Sequence, residues 1–135
     1  MASEQSKDVA AAVAELIMVA SQVTACAARA EGKDEQWVLR ANGKLLARWA
    51  SAIEAGPPER AARAVTALRR VGAGWLDVAA TEPGALWARA LAAVEALPSA
   101  PELCAGCAAA VAAGLVTVGP SYSLEACHCC GAELL

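Results

Sequence analysis

Four stretches of this chain repeat apolar residues at steps of three and four, and each one stops at a glycine or a proline. That rhythm is the period of a helix with one buried face, and it leaves few folds open. In the first stretch Val9, Val13, Leu16, Ala20, Val23 and Ala27 share a face, with Gly32 placed as a left-handed C-cap. The second starts near Asp34 as N-cap and sets Trp37, Ala41, Leu45, Trp49 and Ile53 in a row, before Gly56, Pro57 and Pro58 end it. Pro58 and Glu59 open the third, which carries Val65, Leu68, Val71, Trp75 and Val78 or Ala79. Gly72 and Gly74 are expected to bend or split that helix. Thr81, Glu82 and Pro83 mark a new start, leading into Leu86, Trp87, Ala90, Leu91, Val94 and Leu97, and Pro98 closes the fourth stretch.

Short connectors between such helices favour antiparallel neighbours, so the first part of the chain is expected to be an up-down bundle of about four helices. Composition agrees. Alanine dominates the apolar residues, and there are four Trp but no Phe and one Tyr. Alanine forms helices well and sheets poorly, and its small side chain lets helices pack closely. The charge-free run between Glu102 and Glu125 is long enough for a bilayer. Gly106, Gly114, Gly119 and Pro120 interrupt it and no Lys or Arg anchors its ends, so it reads as part of a folded module and no membrane is expected.

That module is defined by cysteines. Cys104 and Cys107 form one C-x-x-C pair and Cys127 and Cys130 another, with nineteen residues between them. Two residues between thiols allow a tight turn to aim both at one ion, and two such pairs complete the tetrahedral sulfur shell that zinc prefers. Iron is possible with the same ligands. His128 and Cys129 lie inside the second pair and are open as substitute ligands; spacing favours Cys127 and Cys130. Gly131 suits a knuckle whose amides hydrogen-bond to sulfur. Cys26, alone on the first helix, reads as a small core residue.

On C-A-G-C, the intervening L-V-T-V and C-H-C-C-G-A-E-L, residues 102–135 resemble a zinc ribbon. The resemblance implies one structural Zn2+ clamped by knuckles on hairpin turns, with short strands at residues 115–118 and 122–124. Ser99 to Glu102 has the form of a capping box, so the first pair is also placed to open a short helix ending at Gly114, a departure from the plain ribbon. The expected architecture is mainly α: a helical bundle over residues 1–98, and a small C-terminal zinc-ribbon-like module over residues 99–135.

The net charge of −3 is unevenly spread. Between residues 33 and 70, Lys33, Arg40, Lys44, Arg48, Arg60, Arg63, Arg69 and Arg70 face only Asp34, Glu35, Glu54 and Glu59. Arg40, Lys44 and Arg48 on the second helix, with Arg60, Arg63 and Arg70 on the third, fit one surface for an anionic partner. An ordinary solvated face is the competing reading, since acids lie within pairing distance and the Trp residues are expected in the core. The cysteine module holds Glu102, Glu125 and Glu133 but no base, so it does not read as a nucleic-acid binder.

Catalysis finds little support. The one histidine sits in the metal module, Gly72 and Gly74 lack the Lys of a phosphate-binding loop, and four thiolates leave zinc no open position. With no secretory signal at the acidic start, the expectation is a small cytoplasmic protein that is not an enzyme. It would act by macromolecular interaction as a regulator, adaptor or assembly factor, with a protein partner or a second copy of itself. A nucleic-acid partner on the basic helices is the alternative. A thiol-based metal or redox sensor using Cys129 and His128 is the third.

Overall fold

The computed structural model describes residues 2–99 and 103–117, with side chains from residue 7 onward. Among these residues it is all-α. The elements are α1 (Ala2–Arg29), α2 (Lys33–Ala55), α3 (Pro58–Trp75), a 3-10 turn (Leu76–Val78), α4 (Glu82–Ala93) and α5 (Ala105–Ala112). Helices α1 and α3 each pack on both α2 and α4. Chain direction alternates around this ring. Arg29 at the end of α1 meets Glu82 at the start of α4, whereas Glu15 meets Arg89 further along α4. Arg69 of α3 likewise reaches Val94 just beyond α4, while Gly72 faces Leu91.

The core follows the expected stripe in α1, where Val13, Leu16, Ala20, Val23 and Ala27 are all buried. In α4 and the turn after it, Leu86, Trp87, Ala90, Val94 and Leu97 are buried as well. Trp87 and Leu16 are fully enclosed, and each such side chain contributes about 1.5–3 kcal/mol from apolar burial. Helix α1 from Lys7 to Arg29 is also long and apolar enough to cross a membrane, a test that a core helix passes too. Here its apolar stripe is spent on α2 and α4. Close approach is built in at Gly43, where a Cβ would collide with Thr24 Oγ1 and crowd the Ala20 carbonyl.

Three local expectations need correction. Trp37 is 52% exposed and leaves the core stripe of α2, which runs through Leu39, Asn42, Leu46, Trp49 and Ile53. Steps of four over-rotate a helix by about 40° each, so Trp37 lies about 120° round from Trp49. Steps of three and four in alternation stay on one side. Second, α2 begins at Lys33 with Gly32 as its N-cap in an extended conformation (φ −87°), so Gly32 is no left-handed C-cap and Asp34 sits in the first turn. Gln36 Nε2 ties that turn down, donating to Ala30 O at 2.7 Å. Third, α3 runs through Gly72 and Gly74 unbroken to Trp75. Gly72 instead admits Leu91, whose Cδ2 would stand 2.8 Å from any Cβ there. Beyond Trp75 the face turns outward, leaving Val78 exposed.

Two helix starts are as expected, whereas α4 ends at Ala93, short of Pro98, and residues 94–96 form turns. Thr81 Oγ1 caps α4 by accepting from Gly84 N at 3.2 Å, and Pro58 opens α3. Helix α5 closes at Gly114, whose φ of +74° is the left-handed value glycine adopts without strain. Its start is Cys104, so Ser99 does not cap it. At eight residues it is far short of the ~20 a membrane span needs.

Candidate functional site: a basic hairpin and a cysteine pair

The turn between α2 and α3 is two residues, Gly56 and Pro57, and it folds the basic halves of both helices together. Arg48, Arg60 and Arg63 line one groove there, with a volume of about 1060 Å3 and with Trp49, Ser51 and Glu59 also on its walls. Arg40 and Lys44 continue the exposed surface along α2. Arg70 is different: its side chain is half-buried and its Nε is sealed from solvent, so it belongs only partly to the surface expected of it.

Sequence reasoning missed the aromatic on this face. Lys33, Trp37, Arg40, Lys44 and Arg48 recur at steps of four, three, four and four, and all five are exposed. They form one stripe on a 3.6-residue helix. The indole of Trp37 therefore stands among cations. Tracking angle instead of counting fours would have found it.

Arg69 was counted with the bases but turns inward. Its Nη2 donates to Val94 O at 3.1 Å and Glu95 O at 3.0 Å, and stands 3.5 Å from Leu97 O. These carbonyls lie just past the end of α4, where Val94 O also accepts from Leu97 N at 3.0 Å, and a guanidinium is a good donor to them.

Of the four proposed metal ligands, Cys104 and Cys107 are described and Cys127 and Cys130 lie outside the described residues. So do His128, Cys129 and residues 122–124. Cys104 is the N-cap of α5 and Cys107, 6% exposed, is the third residue of its first turn. The N-cap and third positions converge on a helix end, as in a capping box. The first pair thus sits on a helix and not on the hairpin turn of a plain ribbon, and residues 115–117 are not in a strand. Among the described residues no group of three or more His, Cys, Asp or Glu is gathered to hold an ion.

Cys26 is buried on α1 as expected. Burial, then the Glu82 carboxylate, push its thiol above the ordinary range, against an opposing pull from Arg29. Arg29 Nη2 donates to its Sγ at 3.6 Å and to Glu82 Oε1 at 2.6 Å. A protonated, enclosed thiol is a poor nucleophile.

No family model, curated protein or solved structure matches this chain.

Proposed function

We propose that this is a non-catalytic binding protein whose α2–α3 hairpin holds single-stranded nucleic acid, with the C-terminal cysteines as a structural zinc staple. The observation that carries the reading is Trp37, exposed within a row of Lys33, Arg40, Lys44 and Arg48. Bases stack on aromatic faces for about 1–3 kcal/mol each, and cations follow the phosphates. An exposed indole among like charges has no comparable use in an ordinary solvated face. Helix spacing supports it: four residues advance about 6 Å along the axis, so Arg40, Lys44 and Arg48 form an evenly spaced row.

Under this reading Cys104, Cys107, Cys127 and Cys130 hold one zinc ion. The thiol pair at the start of α5 fits half of a tetrahedral sulfur shell. Bound zinc supplies a cross-link that lets an aromatic-poor tail fold. The protein works inside the cytoplasm and needs no membrane.

An acidic protein partner on the same stripe is the second reading, favoured by the charge but not by Trp37. Fluorescence anisotropy of a labelled oligothymidine, with the full zinc-loaded chain, separates the two. Trp37→Ala should weaken binding about tenfold without loss of helicity, and changing Arg40, Lys44 and Arg48 to Glu should abolish it. If the oligonucleotide is not retained at low salt while polyglutamate is, the protein-partner reading replaces this one.

A further inference from the structure

The groove at the α2–α3 turn has more in it than positive charge. Three guanidinium side chains, Arg48, Arg60 and Arg63, share its walls. Arg60 and Arg63 are exposed and form no ion pair among the described residues. The stem of Arg60 folds back over the turn, its Cδ only 3.2 Å from where a Cβ on Gly56 would be. The start of α3 opens at the same place. Pro57 occupies the cap position and no side chain caps the helix, so the first-turn amides of Glu59 and Arg60 are left for an outside acceptor.

A second observation concerns the core. Trp49 is 2% exposed, lines this groove, and its Nε1–H has no acceptor among the described residues. A buried donor without a partner is a standing cost, and it lies in a side chain that lines the groove. The groove therefore gathers guanidinium forks and helix amides, with the Trp49 side chain on its wall. Glu59 is the acid on its lining and opposes any anion, but the three guanidinium groups outnumber it.

We infer that this groove is a site for a phosphate monoester, the terminal phosphate of a bound strand. A dianion with three outward oxygens matches donors arriving from several directions, and arginine forks grip phosphate in bidentate fashion. The groove is larger than a phosphate alone requires, leaving room for the attached sugar and base over the alanines of its floor. The inference rests on the hairpin being an anion-binding surface, and it places the strand's end at Arg60 and Arg63 with its body along Trp37, Arg40 and Lys44.

The test uses the full chain, uniformly 15N-labelled and zinc-loaded, with the Trp49 indole resonance assigned by Trp49→Phe. Inorganic phosphate should shift that resonance and leave the Trp37 indole in place. An oligothymidine with a 5′- or 3′-terminal phosphate should bind about tenfold more tightly than the same strand ending in hydroxyls. The double variant Arg60→Gln, Arg63→Gln should erase this preference while retaining binding to the hydroxyl strand, with helicity unchanged. Trp37→Ala should do the reverse, weakening both strands equally and sparing the response to free phosphate. Equal affinity for the phosphorylated and hydroxyl strands overturns the terminal-phosphate site, even if the hairpin binds nucleic acid. A free-phosphate shift without that preference assigns the groove to small phosphates and overturns the strand-end placement. Acetate matching phosphate at equal ionic strength overturns the monoester assignment altogether.

Discussion

Replacing Arg69 by Met removes the clamp on the end of α4 while keeping most of the apolar stem. The guanidinium Nη2 reaches Val94 O at 3.1 Å and Glu95 O at 3.0 Å, with Leu97 O at 3.5 Å. One amino group carries two hydrogens, so about two of these bonds are fully made. A hydrogen bond from a charged donor is worth about 1.5–3 kcal/mol when enclosed. Arg69 is half-buried, and solvent screening brings each to about 1 kcal/mol. Loss of a cation at a helix C-terminus adds about 0.5 kcal/mol. The expected destabilisation of roughly 2.5 kcal/mol lowers Tm by about 10 °C for a domain of this size. Thermal unfolding followed by far-UV circular dichroism reads it directly. The same variant should bind oligonucleotide within about twofold of the parent, because one inward-turned cation adds little to the surface field. A Tm within about 2 °C of the parent would refute the clamp, as it exceeds no ordinary surface substitution.

Other consequences are separable. A Cβ at Gly84 would run into the Val78 carbonyl and stand 2.9 Å from Ala79 Cα, so Gly84→Ala should cost about 1–3 kcal/mol in urea unfolding. Gly106→Ala meets nothing within 4 Å and should leave the bundle transition where it is. The folded Cys26 thiol titrates above its unfolded value, so its contribution to stability is complete below the ordinary thiol pKa and is lost as pH rises through the raised one. Urea midpoints should fall from neutral to alkaline pH, and Cys26→Ala should flatten that fall. The buried apolar cluster among the described residues ends at Leu97, so chelating the metal should leave the α1–α4 unfolding transition unmoved. Elemental analysis should find one zinc per chain in the parent and none in Cys104→Ser. A chain prepared with zinc that retains none would contradict the staple.

What could be read from residues alone divides along physical lines. Helix α1 was legible because its steps of four, three, four, three and four track the helical period, so every residue on the stripe is enclosed or nearly so. Trp37 was misplaced because a row of fours drifts, and chemistry that is apolar by composition looked like core by default. Arg69 shows a different limit. Its charge is visible in the sequence, but whether it faces solvent or the end of α4 depends on packing between residues 25 to 28 positions apart. The groove has the same origin, since Arg48 and Arg60 meet only once the hairpin closes. In the segment beyond the bundle, Gly114 announced the helix end. That Cys104 itself caps the helix was hidden, because Ser99 and Glu102 offered an equally good start.

The central claim is that the α2–α3 hairpin grips a chain of phosphates, and the salt dependence of oligothymidine affinity tests it most directly. Lys33, Arg40, Lys44, Arg48, Arg60 and Arg63 are the exposed cations of that surface. If all six meet phosphates, log K should fall against log salt with a slope of about −4.2 for a single strand. Trp37→Ala should lower affinity at every salt and leave that slope unchanged, since stacking releases no counterion. A slope near zero, or no binding at the lowest salt, would contradict the account.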